Sequence, residues 1–455
     1  MTSPLNVVIL AAGRGTRMYS ETPKVLHELA GRSLVEHVIT TAEKLKPSGI
    51  TVVIGHQAEQ IQDRLAHLPL AFALQLEQKG TAHAVEQALP MLQDDAIALV
   101  LYGDVPMISE ASLQKLLNNT HENAMTVLTC RVSDPAGLGR IIRDKNGEVN
   151  AIVEEKDASQ EQKIITEINT GIMALPVNKL KLWLPQIKAN NAQKEYYLTD
   201  VVGLAIKDKC QVNSVSCIDE VEASGVNNML QLATLERHYQ KNLANNFLLR
   251  GLKLLDPARF DCRGELEFES GACIDINVII EGSVKIGKDV DIGPNCVLKN
   301  CEIGAGTQIQ ANTVIEDSVI GQGCSIGPFA RIRPGTQLSD QAKIGNFVET
   351  KMALIGRGSK VNHLSYIGDT KMGEQVNVGA GTITCNYDGV NKFKTIIGDN
   401  VFVGSNTALV APVSIASGAT IGAGSTITKN VETKQLALSR SKQTNIDGWQ
   451  RPTKK

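Results

Sequence analysis

Aromatic residues are scarce in this chain of 455 residues: Phe, Trp and Tyr together make up 4%. A core built on large rings is excluded over most of the length, so packing must rest on the 42% of apolar residues, chiefly aliphatic. Charge of one sign is lacking too. The formal net charge is −2, with no long run of either sign. That excludes a broad basic face for nucleic acid and an electrostatic membrane anchor. No apolar run approaches the ~18 residues that span a bilayer. The opening residues Met1-Thr-Ser-Pro-Leu-Asn6 carry no charged n-region of a secretory signal. Cys-x-x-Cys pairs are absent. The nine cysteines are an odd number and read as reduced thiols of a cytoplasmic protein, not as a disulfide framework or a zinc site.

What is present is a period of six. Ile397, Val403, Leu409, Ile415, Ile421 and Ile427 are spaced six apart. A helical face repeats near 3.6 and a half-buried strand near 2, so a strict six is the hexapeptide pattern of a parallel β-helix. Each aliphatic side chain points into the coil, and the small residue after most of them lets the chain turn. Traced backwards, the repeat runs through Ile286, Ile292 and Leu298, slips by one to Ile303, Ile309 and Ile315, and slips again to Ile320, Ile326 and Ile332. Ile344 falls two units on, and Ile355, Val361 and Ile367 resume the rhythm. Residues 384–394 interrupt it. An insertion in a solenoid leaves as a loop from one corner, with or without a task of its own.

The length predicts two or three domains, and nothing like the period of six occurs before about residue 265. There, Val7-Val8-Ile9-Leu10 reads as a buried strand. It runs into Ala11-Ala12-Gly13-Arg14-Gly15-Thr16-Arg17-Met18, a glycine-rich turn of the kind that holds phosphates in α/β folds. Further buried strands are predicted at 51–54, 71–76, 97–102, 125–129 and 212–215. Helical stretches between several of them imply a mostly parallel sheet, with ligands at its carboxyl edge. The loop is not a Walker A motif, and Met18 stands where a dinucleotide fingerprint needs glycine. Arg17 and Lys24 are suited to a leaving pyrophosphate, although spacing alone allows a solvated basic turn. Tyr102-Gly103-Asp104 ends a strand, so Asp104 either binds a hard cation or caps a turn. Gly80-Thr81 opens a helix. Asp144-Lys-Asn-Gly147 reads as a hairpin turn, with 140–143 and 149–155 forming a flap. Leu235, Tyr239, Leu243 and Phe247 step by three or four along an amphipathic helix, either a connector or a core helix of the first domain. The expected division is 1–228, a helical linker at 229–249, and 250–455.

The motif from Leu10 to Met18 with Pro23-Lys24 resembles the signature of sugar-1-phosphate nucleotidylyltransferases. Joined to the hexapeptide half, the chain is similar to the bacterial bifunctional N-acetylglucosamine-1-phosphate uridylyltransferase/glucosamine-1-phosphate acetyltransferases, from about residue 5 onwards. The resemblance implies a Rossmann-like α/β nucleotidyltransferase domain followed by an all-β left-handed parallel β-helix. It implies UTP and acetyl-CoA as co-substrates, Mg²⁺ as cofactor, and a homotrimer. By the same resemblance, Leu10, Ala11, Ala12, Gly13, Gln75, Gly80 and Thr81 would hold the uridine nucleotide, and Tyr102 and Gly103 the nucleotide or the sugar. Arg17 and Lys24 would face the triphosphate. Gly139, Glu154 and Asn169 would hold the N-acetylglucosamine part, and Asp104 and Asn227 would ligate Mg²⁺.

In the second half, His363 is the only histidine after His238. It either fills a solenoid corner or acts as the base that acetyl transfer to an ammonium-bearing sugar requires near neutral pH. The resemblance selects the base, and names Glu349 as the carboxylate to fix its tautomer. It further implies that Arg333, Lys351, Tyr366, Asn377 and Lys392 bind glucosamine 1-phosphate, and that Ala380, Asn386, Tyr387, Ser405, Ala423 and Arg440 contact acetyl-CoA. The polar stretch after Arg440, with Trp449, either caps the solenoid or covers a neighbour's cofactor.

Overall fold

The computed structural model describes residues 3–454. It divides into two compact units, one ending at Tyr239 and the other starting at Gln240.

The first unit is a nine-stranded sheet with helices. Its strands are β1 Leu5–Leu10, β2 Gly49–Ile54, β3 Ala71–Leu74, β4 Ile97–Tyr102, β5 Ala124–Arg131, β6 Gly139–Arg143, β7 Val149–Val153, β8 Glu167–Pro176 and β9 Gln211–Ser216. The order is β9-β5-β8-β4-β1-β2-β3. All neighbours are parallel except around β8, which runs antiparallel to β4 and β5. The middle of β1 is continuous aliphatic because both its faces are covered: Val7, Val8 and Ile9 are fully buried. The hairpin β6–β7 branches from β8, and its turn closes with Gly147 N–H on the Asp144 carbonyl at 3.1 Å. The helix Leu34–Glu43 starts at a capping box in which Ser33 and Glu36 exchange bonds. It buries Leu34, Val35, Val38, Ile39 and Ala42.

The helix Met229–Leu249 follows the predicted periodicity. On it, Leu235 packs with Met18, Leu29, Leu34 and Val226 in the first unit. Phe247 packs edge-on to Phe260 and Phe268 in the second.

The second unit is a parallel β-helix with three walls. Ile274, Ile292, Ile309, Ile326, Ile344, Val361, Val378, Val403 and Ile421 stack in register on the first wall. The second wall carries Ile280, Leu298, Ile315, Ile332, Thr350, Ile367, Thr384, Leu409 and Ile427. The third carries Ile286, Ile303, Ile320, Leu338, Ile355, Met372, Ile397 and Ile415. All of these side chains are buried.

The slips in the repeat now have a physical cause. A step from Leu298 to Ile303, from Ile315 to Ile320, from Thr350 to Ile355 or from Ile367 to Met372 is five residues, not six. Each of these lies at the corner between the second and third walls. That corner turns through a left-handed residue, Asn300, Asp317, Met352 or Asp369. The insertion leaves from this same corner. It begins at Asn386, because Thr384 and Cys385 still belong to the strand Ile383–Cys385. Sequence reading places the break two residues too early, since threonine does not register as an aliphatic. Thr350 and Thr384 fill aliphatic positions because their hydroxyls are bonded inside. Thr350 Oγ1 lies 3.2 Å from Thr336 Oγ1, and Thr384 Oγ1 accepts from Gly368 N–H at 2.8 Å.

Candidate functional site

The first site sits at the carboxyl ends of β1 and β4. Gly103 N–H bonds the Leu10 carbonyl at 2.9 Å, which sets Asp104 beside the glycine-rich turn. Gly15, at φ +59, has Lys24 packed where a Cβ would stand, 2.6 Å from Lys24 Cβ. Any side chain there would push Lys24 away. Lys24 Nζ pairs with Asp104 Oδ2 and lies 3.4 Å from Asn227 Oδ1. Arg17 Nη2 donates to the same Asn227 oxygen at 2.9 Å. Asn227 is held next to Asp104 because Val226 N–H bonds the Asp104 carbonyl at 2.9 Å. Four residues singled out from sequence thus converge on one point. A carboxylate and an amide oxygen directed at one point suit a hard cation, completed by phosphate oxygens.

A cleft of about 210 Å³ opens beside this point, lined by Leu10, Ala11, Ala12, Gly13, Gln75, Gly80, Thr81 and Tyr102 among others. Buried Gln75 donates to the Gly80 carbonyl at 3.2 Å and lies 3.0 Å from His83 Nδ1. Gly80 opens the helix Thr81–Ala88. The Tyr102 hydroxyl is pushed well above its usual range by burial and, less, by Glu154 and Asp104, so it stays a neutral donor. Next to it, Gly139 pairs with Asn169 across β6 and β8, and Glu154 lies against Gly139. Burial raises the Glu154 carboxyl, outweighing the hydrogen bond from Thr199 at 3.4 Å. Asn169 Oδ1 is buried without a hydrogen-bond partner, an acceptor waiting for a ligand N–H.

The second site lies on the solenoid. Asn346, His363, Ala380, Ser405 and Ala423 form one file along the corner after the first wall. The carbonyls of the first four each accept from the next coil, from Leu364 at 3.1 Å, Gly381 at 3.3 Å, Asn406 at 2.7 Å and Gly424 at 2.8 Å. Arg440 Nη1 ends the file on the Ala423 carbonyl at 3.0 Å. Across the corner, on the second wall, Glu349 and Tyr366 are paired neighbours, and Arg333 N–H bonds the Thr350 carbonyl. Lys351 Nζ is lowered by Lys392 first and then by Arg333, three cations crowding where a dianion would relieve them. Asn386 Nδ2 bonds Asp369 Oδ2 and, at 3.5 Å, the Tyr366 hydroxyl. Tyr387 is exposed on the loop and donates to the Gly389 carbonyl at 2.5 Å. Asn377 pairs with Lys360 on the first wall. One expectation fails: Glu349 is not on His363. Its Oε1 takes Arg333 Nη1 at 2.5 Å, while His363 Nδ1 lies 2.8 Å from Asn346 Oδ1.

Comparison with known proteins follows the same division. Residues 7–158 match the MobA-like NTP transferase domain, 262–346 the GMPPB C-terminal domain, and 394–429 the six-repeat bacterial transferase hexapeptide. The chain is 56% identical to the bifunctional protein GlmU of Cellvibrio japonicus over 453 residues, 99% of this chain and 100% of that one. The chain belongs to the GlmU family. The GlmU proteins of Marinobacter nauticus and Stutzerimonas stutzeri are each 53% identical, again over 99% of this chain and 100% of theirs. As a GlmU protein it is a bifunctional enzyme, with a nucleotidyltransferase domain and an acyltransferase hexapeptide domain.

Sequence reasoning missed three residues of these sites in this GlmU chain. Thr199 reaches Glu154 across 45 residues, and no local pattern marks it. Asp369 and Asn346 could have been found by counting coils, since Asn346 is 17 residues before His363 and pairs with it.

Proposed function

We propose that this chain makes UDP-N-acetylglucosamine in two steps at two sites. The solenoid acetylates glucosamine 1-phosphate from acetyl-CoA. The sheet unit then joins N-acetylglucosamine 1-phosphate to UTP and releases pyrophosphate. The observation that carries this reading is the presence, in one chain, of two separate gatherings of cations suited to a phosphosugar. One is Lys24 and Arg17 with Asp104 and Asn227; the other is Arg333, Lys351 and Lys392, on the same solenoid as His363.

In acetyl transfer, Arg333, Lys351 and Lys392 hold the sugar phosphate, and His363 takes the proton that leaves the amine. The amine nitrogen bonds to the thioester carbonyl carbon and the C–S bond breaks. The proton passes from His363 to the departing thiolate. The pantetheine arm follows the file through Ala380, Ser405 and Ala423, with Arg440 at its end; Asn386 and Tyr387 border it. In uridylyl transfer, the sugar phosphate attacks the α-phosphorus in line. Asp104 and Asn227 would hold Mg²⁺, which would supply positive charge against the phosphates. Arg17 and Lys24 stabilise the pyrophosphate as it leaves. Gly139, Glu154 and Asn169 orient the sugar.

Two further assignments belong to this reading. A homotrimer is supported by an apolar stripe on one corner. Phe329 and Phe347 stack with ring centres 5.2 Å apart, both about half exposed, and Leu364 follows on the next coil at 62% exposed. A cytoplasmic location goes with nine free cysteines, six of them buried. Among the described residues no helix is long and apolar enough to cross a membrane. The test is a single mixture of protein, glucosamine 1-phosphate, acetyl-CoA, UTP and Mg²⁺. Nucleotide sugar and free thiol should appear together, and thiol release without nucleotide sugar, or neither, refutes the reading.

A further inference from the structure

A base that accepts a proton through Nε2 must carry its own proton on Nδ1, and some acceptor has to hold it there. The carboxylate expected in that place is engaged elsewhere, by Arg333. Among the described residues, the hydrogen-bond partner of the His363 ring is Asn346, with Oδ1 2.8 Å from Nδ1. The contact is built into the coil register. Asn346 ends the strand Lys343–Asn346, His363 ends Lys360–His363, and the two are directly paired. Backbone bonds pin both: the Asn346 carbonyl takes Leu364 N–H at 3.1 Å, and the His363 carbonyl takes the Ser365 hydroxyl at 2.8 Å. The charged groups on the elements around the ring are Lys343 and Lys360, exposed at the starts of the two strands, and Glu349 and Lys351 across the corner.

We propose that Asn346 is the positioning residue for acetyl transfer: its amide oxygen accepts from His363 Nδ1–H and leaves the Nε2 lone pair facing the substrate amine. The proposal rests on the acetyltransferase reading given above. It explains why an amide stands there. A carboxylate would fix the same tautomer but would also stabilise imidazolium, so the ring would be charged, and useless as a base, over more of the neutral range. A neutral acceptor orients the ring without that penalty. An alanine leaves the ring free to turn and to take the other tautomer.

The test combines ring-nitrogen NMR with kinetics on the full chain. With ¹⁵N-labelled histidine, His363 at high pH should show a protonated Nδ1 and a bare Nε2 in the wild type, and a tautomer mixture in Asn346→Ala. Asn346→Ala should lower kcat for acetyl transfer by about ten- to a hundredfold, the range seen when an orienting partner is lost, with KM for the sugar phosphate and uridylyl transfer unchanged. Asn346→Asp should restore most of kcat at high pH and move the acidic limb of its pH profile upward. Protonated Nε2 in the wild type, or an alanine variant with full kcat, overturns the proposal. If the wild type shows the expected tautomer but acetylates no glucosamine 1-phosphate, the functional reading fails and the assignment of the ring stands.

Discussion

Lys24 meets Asp104 across 80 residues and Asn227 across 203, whereas Asn346 meets His363 across 17. The first site is assembled by topology: strand ends and a distant segment converge only when the whole sheet has formed. The second is assembled by counting, since one turn of the coil brings the chain back to the same corner. Loss of a single strand in the sheet unit therefore scatters its site, while the solenoid distributes its stability over neighbouring coils. The difference also governs what substitution should do. Damage in one unit should be read out in that unit's own reaction.

The largest expected effect is on that separation. His363→Ala should lower acetyl transfer by about 10²- to 10⁴-fold, the usual share of a general base, and leave uridylyl transfer intact; Asp104→Asn should do the reverse. Both reactions are to be measured on the same sample of each variant, and loss of both in a folded variant breaks the two-site comparison. Next come the cores. Ile367→Ala empties a fully buried position on the second wall and should cost about 2–5 kcal/mol. It should shift the solenoid's step in a denaturation curve and spare uridylyl activity at low denaturant. Thr384→Val tests the polar rung inside the same wall. It keeps the shape but removes the oxygen that accepts from Gly368 N–H, and should cost about 1–3 kcal/mol for the unpaired amide. The smallest effect concerns Glu154. Burial holds its folded-state carboxyl above the usual value of 4.5, so the stability it contributes is present below pH ~4.5 and is lost as pH rises through the raised value. Glu154→Gln should therefore raise the melting temperature of the sheet unit at pH 7, and the gain should vanish as pH approaches 4.5. A gain that persists at low pH would mean the carboxylate is not what burial disfavours.

Much of this was legible in the sequence, for reasons that differ between the units. The strands expected at 51–54, 97–102, 125–129 and 212–215 match β2, β4, β5 and β9 to within two residues at each end; β2 and β4 are legible because strands covered on both faces read as aliphatic runs, whereas the edge strand β9, half exposed, shows only Val212 and Val215. The solenoid announced itself through Ile and Val, and its threonine rungs stayed hidden because hydroxyl satisfaction is a tertiary fact. The hairpin β6–β7 was readable from Asp144 and Gly147. Contacts between side chains were not: Glu349 sits one wall away from His363 and faces Arg333, a direction that spacing alone does not reveal. The resemblance supplied residue roles, while the partner of the histidine ring came only from coordinates.

The corner between the second and third walls is where this solenoid varies its length. It takes five residues in four coils, six in three (Ile280 to Ile286, Ile332 to Leu338, Leu409 to Ile415), and thirteen between Thr384 and Ile397, with no change in which side chains face inward. A joint that already tolerates that span is a natural grafting point. Foreign peptide spliced after Asn300 or Asp317, corners away from the cation group, should be carried as a passive bulge, whereas one extra residue in any wall would turn every later side chain inside out.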